Sequence, residues 1–328
     1  MKFFKVLFKV LFFVVMGAGL LVAFVNFQKY IAFSEFYASA ESAGEVPGIY
    51  DGFVPQGLDA YGDGFLVSGY MSDKTASRIY YVEGGESRYV ALENEDGSAF
   101  KGHSGGICHA NDFVYIGGSG GVYVFSLSDV LDRDGEATSL GFFPTLLNAA
   151  WCEVYGGYLI AGSFWCEPDY TTASWQHVTT PAGDKNYSMM TVFRLDGEAE
   201  FGVTPTPVCA ISTEMKVQGA AFTSDGVILS TSLGLSPSEL QFHAISPIST
   251  DEITVPSADG EHTLPLYYLD SSTKTHVISA PPMAEEIAVR DGRIYVMNES
   301  ACNKYIFGRF LGMEAFYSIE YREEYFKK

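Results

Sequence analysis

The chain has 328 residues, 47% of them hydrophobic and 15% aromatic, with 34 glycines. That length allows one large domain or two small ones, and the composition suits many short strands joined by glycine turns better than it suits helices. The formal net charge of −20 at pH 7 speaks against nucleic acid as a partner, because such a surface repels phosphate.

Lys2, Lys5 and Lys9 precede a run from Val10 to Val25 without a charge, closed by Asn26, Gln28 and Lys29. A membrane helix needs about 20 apolar residues, roughly 17 at the low end. Counting Phe3 to Phe8 around lysines that can snorkel reaches that length. Residues 1–30 are therefore expected to form a signal anchor and transmembrane helix. The three lysines would be cytoplasmic and the bulk of the chain extracytoplasmic, in a single-pass protein of the cell membrane. A signal peptide cleaved near Ala38-Ser39-Ala40 is the alternative. Residues 31–46 read as a linker and 47–328 as the folded domain. Removing residues 1–40 takes away four lysines and one glutamate, which leaves 16 basic against 39 acidic residues, a charge of −23.

A hairpin phrase then recurs. Gln56-Gly57-Leu58-Asp59-Ala60-Tyr61, Gly62-Asp63-Gly64 and Phe65 to Gly69 form the first copy. Further copies start near Gly106, Ala150, Gly219 and Glu286. Each has a small or apolar strand, a turn rich in Gly, Asn or Asp, and a β-branched or aromatic strand. Third strands are expected at Arg78–Val82, Val122–Leu127, Met190–Leu195, Leu240–Ile245 and Tyr305–Phe310. Fourth strands are expected in most copies, as at Arg88–Leu92 and Thr275–Ala280. Four antiparallel strands per unit make a propeller blade. The fold is therefore expected to be all-β, a five-bladed β-propeller behind the N-terminal helix. Two spacings carry about twenty extra residues, around Trp165–Ser188 and Pro247–Leu264, and a sixth blade hidden in one of them is the alternative.

With these repeats the stretch of roughly residues 50–320 resembles the broad β-propeller group, including gluconolactonase and strictosidine-synthase-like proteins and the NHL and YVTN-type repeats. The resemblance implies a calcium ion in the axial channel, held by Glu, Asn and Asp side chains. The nearest matches by position are Glu285 and Asn148, with Asp59 a possible third. It also implies, as an alternative to pure binding, a calcium-assisted lactonase or esterase in which His103 handles protons. The rest of a catalytic pattern has no match, and no GxSxG elbow leading from a strand into a helix, HExxH phrase or phosphate loop is found.

Ring closure would bring the residues before each inner strand together. Gln56, His103, Asn148, Gln218 and Glu285 are thus expected to converge on one channel mouth. Trp165 and Trp175, in the long loop on the same end, are candidate ligand contacts. The expected ligand is a small molecule, a glycan or a protein. Five cysteines lie beyond the apolar run, an odd number. Cys166 and Cys302 occupy corresponding loops and are expected to pair, since export permits oxidation. Asn186-Tyr187-Ser188 and Asn298-Glu299-Ser300 match the glycosylation sequon.

Overall fold

The computed structural model describes residues 2–131, 135–245, 251–258 and 260–328. Five sheets surround a common axis. Blade 1 contains Phe53–Tyr61, Gly64–Met71, Arg78–Glu83 and Glu86–Glu93, with the short Glu136–Thr138 added parallel to its outer edge. Blade 2 contains Ile107–Ala110, Phe113–Gly118, Gly121–Ser126 and Gly141–Pro144. Blade 3 starts with Trp151–Tyr155, Tyr158–Gly162, Ser188–Leu195 and Val203–Thr213. Blade 4 contains Val217–Phe222, Val227–Thr231, Ser238–His243 and Lys274–Ala280. Blade 5 runs Ala284–Arg290, Arg293–Asn298 and Ala315–Glu320, and its outermost strand is the N-terminal Glu41–Glu45.

The innermost strand of each blade packs on that of the next, and that of blade 5 packs on that of blade 1, so the ring closes. Axial crowding explains the repeated glycines. A Cβ on Gly106 would lie 2.4 Å from the Trp151 Cα, and one on Gly219 would lie 2.6 Å from the Glu286 Cα. The core is divided accordingly into five clusters, one in each gap between neighbouring blades. Leu66, Ile79, Val114 and Ile116 fill the gap from blade 1 to blade 2. Phe53, Val67, Met297 and Phe316 fill the gap from blade 5 to blade 1.

The long spacings do not hide a sixth blade. The second sends out a hairpin, Asp251–Ser257 with Gly260–Tyr268, which pairs parallel with Val203–Thr213 and widens blade 3 to six strands. Positions 247–250 and 259 of the expected insertion Pro247–Leu264 lie outside the described residues. The first insertion forms a 3-10 turn at Ser174–Gln176 and a two-residue pairing of Val178–Thr179 with Lys185–Asn186.

Two expectations are corrected. Tyr305–Phe310 is not the third strand of blade 5. It belongs to a turn that includes the 3-10 helix Gly308–Leu311, because Gly308 packs on the Ser300 backbone and Gly312 takes a left-handed φ of +63°. The stretch 31–46 is also more than a linker. It forms a short helix, Ser34–Ser39, whose Phe36 is buried between blades 4 and 5, and then the closing strand paired Glu41 to Ser318 and Glu45 to Ala315. Before it runs a helix, Lys2–Ala32, of which Phe4–Ala32 is long and apolar enough to cross a membrane.

Candidate functional site at the channel mouth

Three of the five innermost strands carry a register shift at equivalent places: between Pro55 and Gly57, between Val217 and Gly219, and between Ala284 and Ile287. A bulge breaks the alternation of side chains and re-aims the extra residue. It brings Gln56, Gln218 and Glu285 to one end of the channel. The first two hydrogen-bond to an acid pair there. Gln56 Nε2 donates to Glu299 Oε2 at 2.8 Å, and Gln218 Nε2 donates to Glu285 Oε1 at 3.4 Å.

Glu299 stands on a 3-10 turn, Glu299–Ala301, that follows the second strand of blade 5. It was not anticipated as a site residue. Glu285 and Glu299 are 2% and 9% exposed, so two carboxyls share a largely dry site. Burial, and then the charge of Glu299, hold Glu285 well above the ordinary carboxylate range. Burial raises Glu299 to about 7, against the opposing pull of Gln56, Lys304 and Tyr305. Two such acids cannot both ionise cheaply, so the pair retains a proton near neutrality.

The same bulge lets the next residue, Glu286, face inward as well. Glu286 is fully buried on the axis. Its Oε2 accepts from the N–H groups of Leu58 and Ile107 at 2.9 Å each, and its Oε1 accepts from Cys152 N–H at 3.2 Å. These donors lie on the inner edges of blades 1, 2 and 3, where no further strand can pair with them. One side chain of blade 5 thus satisfies three edges across the ring. Burial pushes its pKa up, and the Ile107 and Leu58 N–H groups pull it back.

Beside the acid pair opens a cleft of about 540 Å³, lined among others by Tyr70, Lys74, Lys101, His103 and Lys304. His103 stacks on Tyr70 with ring centroids 4.8 Å apart. Its edge is exposed, yet desolvation and then the charge of Lys304 lower its pKa to about 4, so the ring is neutral at pH 7. Lys304 links the two parts of the site. Its Nζ bonds the Tyr70 hydroxyl, and its charge acts on Glu299.

Several expected residues lie elsewhere. Asn148 is exposed, and its Oδ1 accepts from Gly120 N–H at 2.9 Å and Ser119 Oγ at 3.3 Å. Blade 3 pairs without a shift at its inner strand, so the place beside Gly105 falls to Ala150. Trp165 is buried and stacks on Tyr187 at 4.4 Å and 14°, while Trp175 packs on the core between blades 2 and 3. Both pin their loop down. The Cys166–Cys302 bridge does not form. Cys302 is fully buried between blades 5 and 1, Cys166 lies in a loop of blade 3 across the ring, and all five thiols are free. Both sequon asparagines are buried donors: Asn186 bonds Ser212 Oγ and the Leu269 carbonyl, and Asn298 bonds the Pro281 and Pro282 carbonyls.

Asp59 faces the other end of the channel. It pairs with His109 Nδ1 at 2.5 Å. Near it, Glu153 is held well above its usual range by burial and then by the Asp59 charge. Among the described residues no group of three or more His, Cys, Asp or Glu side chains is placed to hold a metal ion. Calcium takes six to eight oxygens. At the mouth Asn148 is missing, and the Gln56 amide nitrogen sits between the Pro55 carbonyl (2.7 Å) and Glu299, so it faces the acid as a donor. The residues at the mouth do not fit calcium.

No protein-family model matches the chain, and no curated protein matches it in sequence. Among solved structures it is similar to a protein described as an oxidoreductase (glucose dehydrogenase) from Thermus thermophilus, at 14% identity over 85% of this chain and 98% of that one, with a TM-score of 0.42. It is also similar to an α-L-arabinofuranosidase from Lactobacillus brevis, at 10% identity over 84% and 92%, with a TM-score of 0.43.

Proposed function

We propose that the protein is a single-pass, membrane-anchored propeller whose extracytoplasmic domain binds a small anionic molecule at the channel mouth. The observation that carries this reading is a reversal of charge. The chain has a net charge of −20, yet the cleft is lined by Lys74, Lys101 and Lys304 and by no acidic side chain. A cationic recess in an acidic surface concentrates anions locally. The acid pair behind it retains a proton near neutrality, which limits the negative charge an anion in the cleft would meet.

The test is thermal unfolding of the detergent-purified full chain with a panel of small carboxylates, phosphate monoesters and neutral sugars. A ligand at about 100 times its Kd adds about 2.7 kcal/mol, or roughly 5–10 °C in Tm. An anionic member is expected to give such a shift, and Lys101→Ala with Lys304→Ala is expected to abolish it. Equal stabilisation by neutral sugars, or a shift that survives in the lysine variant, refutes the reading.

One observation favours a second reading, hydrolysis of an ester or lactone. A carboxyl held at about 7 exchanges its proton readily at neutral pH. That reading requires turnover of model lactones or aryl esters that falls about 100-fold or more in Glu299→Gln.

A further inference from the structure

The apolar helix and the propeller meet at the turn that replaces the expected strand of blade 5. Asn26 Nδ2 donates to the Phe310 carbonyl and Lys29 Nζ to the Leu311 carbonyl, both at 2.7 Å. Asn26 and Lys29 close the apolar run. From Val10 to Gln28 the helix carries no charge, a length of about 28 Å at 1.5 Å per residue, close to the hydrocarbon thickness of a bilayer. The turn therefore stands at the level where the span would leave the hydrocarbon.

The same turn exposes Ile306 at 69%, Phe307 at 73% and Phe310 at 42%. Outside the helix, Ile306 and Phe307 are the most exposed large apolar side chains among the described residues. Single exposed apolar residues are ordinary, but three within five residues are not. They are also held in place. Asn303 Nδ2 donates to the Tyr50 carbonyl at 2.5 Å, and Arg309 Nη1 donates to Asn303 Oδ1 at 2.6 Å. The Arg309 guanidinium lies 4.9 Å over the Tyr50 ring. Charge points the same way. Residues 303–312 contain Lys304 and Arg309 and no acid, in a chain that is otherwise strongly acidic, while Glu314 just beyond faces Tyr50 and the buried Lys29.

We propose that Ile306, Phe307 and Phe310 form a second membrane contact, inserted into the outer bilayer interface beside the anchor, with Lys304 and Arg309 at the level of the lipid phosphates. Apolar side chains flanked by basic ones are what an interface-lying segment presents to lipid. The occupant is the bilayer because the turn bonds directly to the end of the span. This connecting turn lies on the mouth face of the propeller, and Lys304 also lines the cleft. The ligand site then opens along the membrane surface instead of toward bulk solvent.

The proposal rests on the reading of the helix as a membrane span, and the test separates the two. The full chain is reconstituted in phosphatidylcholine vesicles with or without bromine on the acyl chains. Phe24→Trp reports the span, Phe307→Trp and Phe310→Trp report the turn, and Tyr155→Trp reports a turn on the opposite face. The wild type, with Trp151, Trp165 and Trp175, is subtracted. Bromines are expected to remove most of the emission added at positions 24, 307 and 310, and to leave that at 155 unchanged. Quenching at 24 but not at 307 or 310 overturns the second contact and leaves the anchor standing. An unquenched but blue-shifted emission at 307 does the same and makes protein, not lipid, the cover. Equal quenching at 155 overturns the orientation. Absence of quenching at 24 removes the anchor, and this proposal falls with it.

Discussion

The acid pair makes a quantitative claim about stability. Glu299 has an ordinary value of 4.5 in the unfolded chain and about 7 in the folded one. Between these two values the unfolded chain has released the proton and the folded chain still holds it. The folded state binds more protons there, so stability falls as pH rises through that window. About 2.5 pKa units at 1.36 kcal/mol each give a loss of about 3 kcal/mol, complete just above pH 7. In Glu299→Gln the position has no proton to lose, and this component vanishes. The variant should match the wild type near pH 5 and exceed it at pH 7.5 by roughly 5–10 °C in Tm. The assay is thermal unfolding of the detergent-purified chain, followed by tryptophan fluorescence at half-unit steps from pH 5 to 8. Groups that titrate identically in both proteins cancel in the difference. A variant with the wild-type slope refutes the buried pair.

Glu286→Ala leaves three buried N–H groups without an acceptor, each costing about 1–3 kcal/mol, so urea denaturation should show a loss of roughly 3–9 kcal/mol; a loss under about 1 kcal/mol contradicts its bridging of three blades. Millimolar calcium, followed by a chelator, should move the Tm by less than about 1 °C, since the donors at the mouth do not fit the ion; a clear rise shows that the donor set is incomplete. Asn148→Ala should cost about 0.5–1.5 kcal/mol through its lost bond to Gly120 N–H and leave any ligand-induced shift intact; disappearance of that shift places Asn148 at the site. Protease added to intact cells or spheroplasts should digest the propeller, because Lys2, Lys5 and Lys9 favour a cytoplasmic N-terminus; digestion only after lysis reverses the topology.

The five hairpins were legible because each is local. A small-residue strand, a turn of φ-permissive residues and a β-branched strand lie within about fifteen residues, and ring crowding imposes the same pattern five times. What closes the ring was not legible. Glu41–Glu45 reads Glu-Ser-Ala-Gly-Glu and has almost no strand propensity. It becomes a strand only because the free edge of Ala315–Glu320 offers it partners from the other end of the chain. Tyr305–Phe310 shows the reverse error. Its aromatic and β-branched residues suit a strand, but Gly308 and Gly312 set the backbone, and the apolar side chains point outward because no blade is behind them.

The site failed and succeeded on one physical point, the period of two along a strand. Alternation says that Glu285 and Glu286 face opposite sides, so only one of them could reach the axis. The bulge removes that restriction, and both are buried, one at the mouth and one at the hub. A signal was present: two adjacent acids inside the apolar run Ala284-Glu285-Glu286-Ile287-Ala288-Val289 do not belong on a core strand unless its register breaks there. The paired phrases Gln56-Gly57 and Gln218-Gly219 mark the same break in blades 1 and 4. The inner strand of blade 3 has no such phrase and no bulge, and counting back to Asn148 as if it had one put that residue in the channel when it belongs on an exposed turn. Glu299 was beyond this reasoning, since it enters the site from a connecting turn after the second strand and not from the repeat. Its proximity to Glu285 is a consequence of how blade 5 folds back on itself, with Asn298 paired to Ala284 and the Glu299 N–H bonded to the Met283 carbonyl, while the adjoining bulge frees Glu286 to hold blades 1, 2 and 3 together.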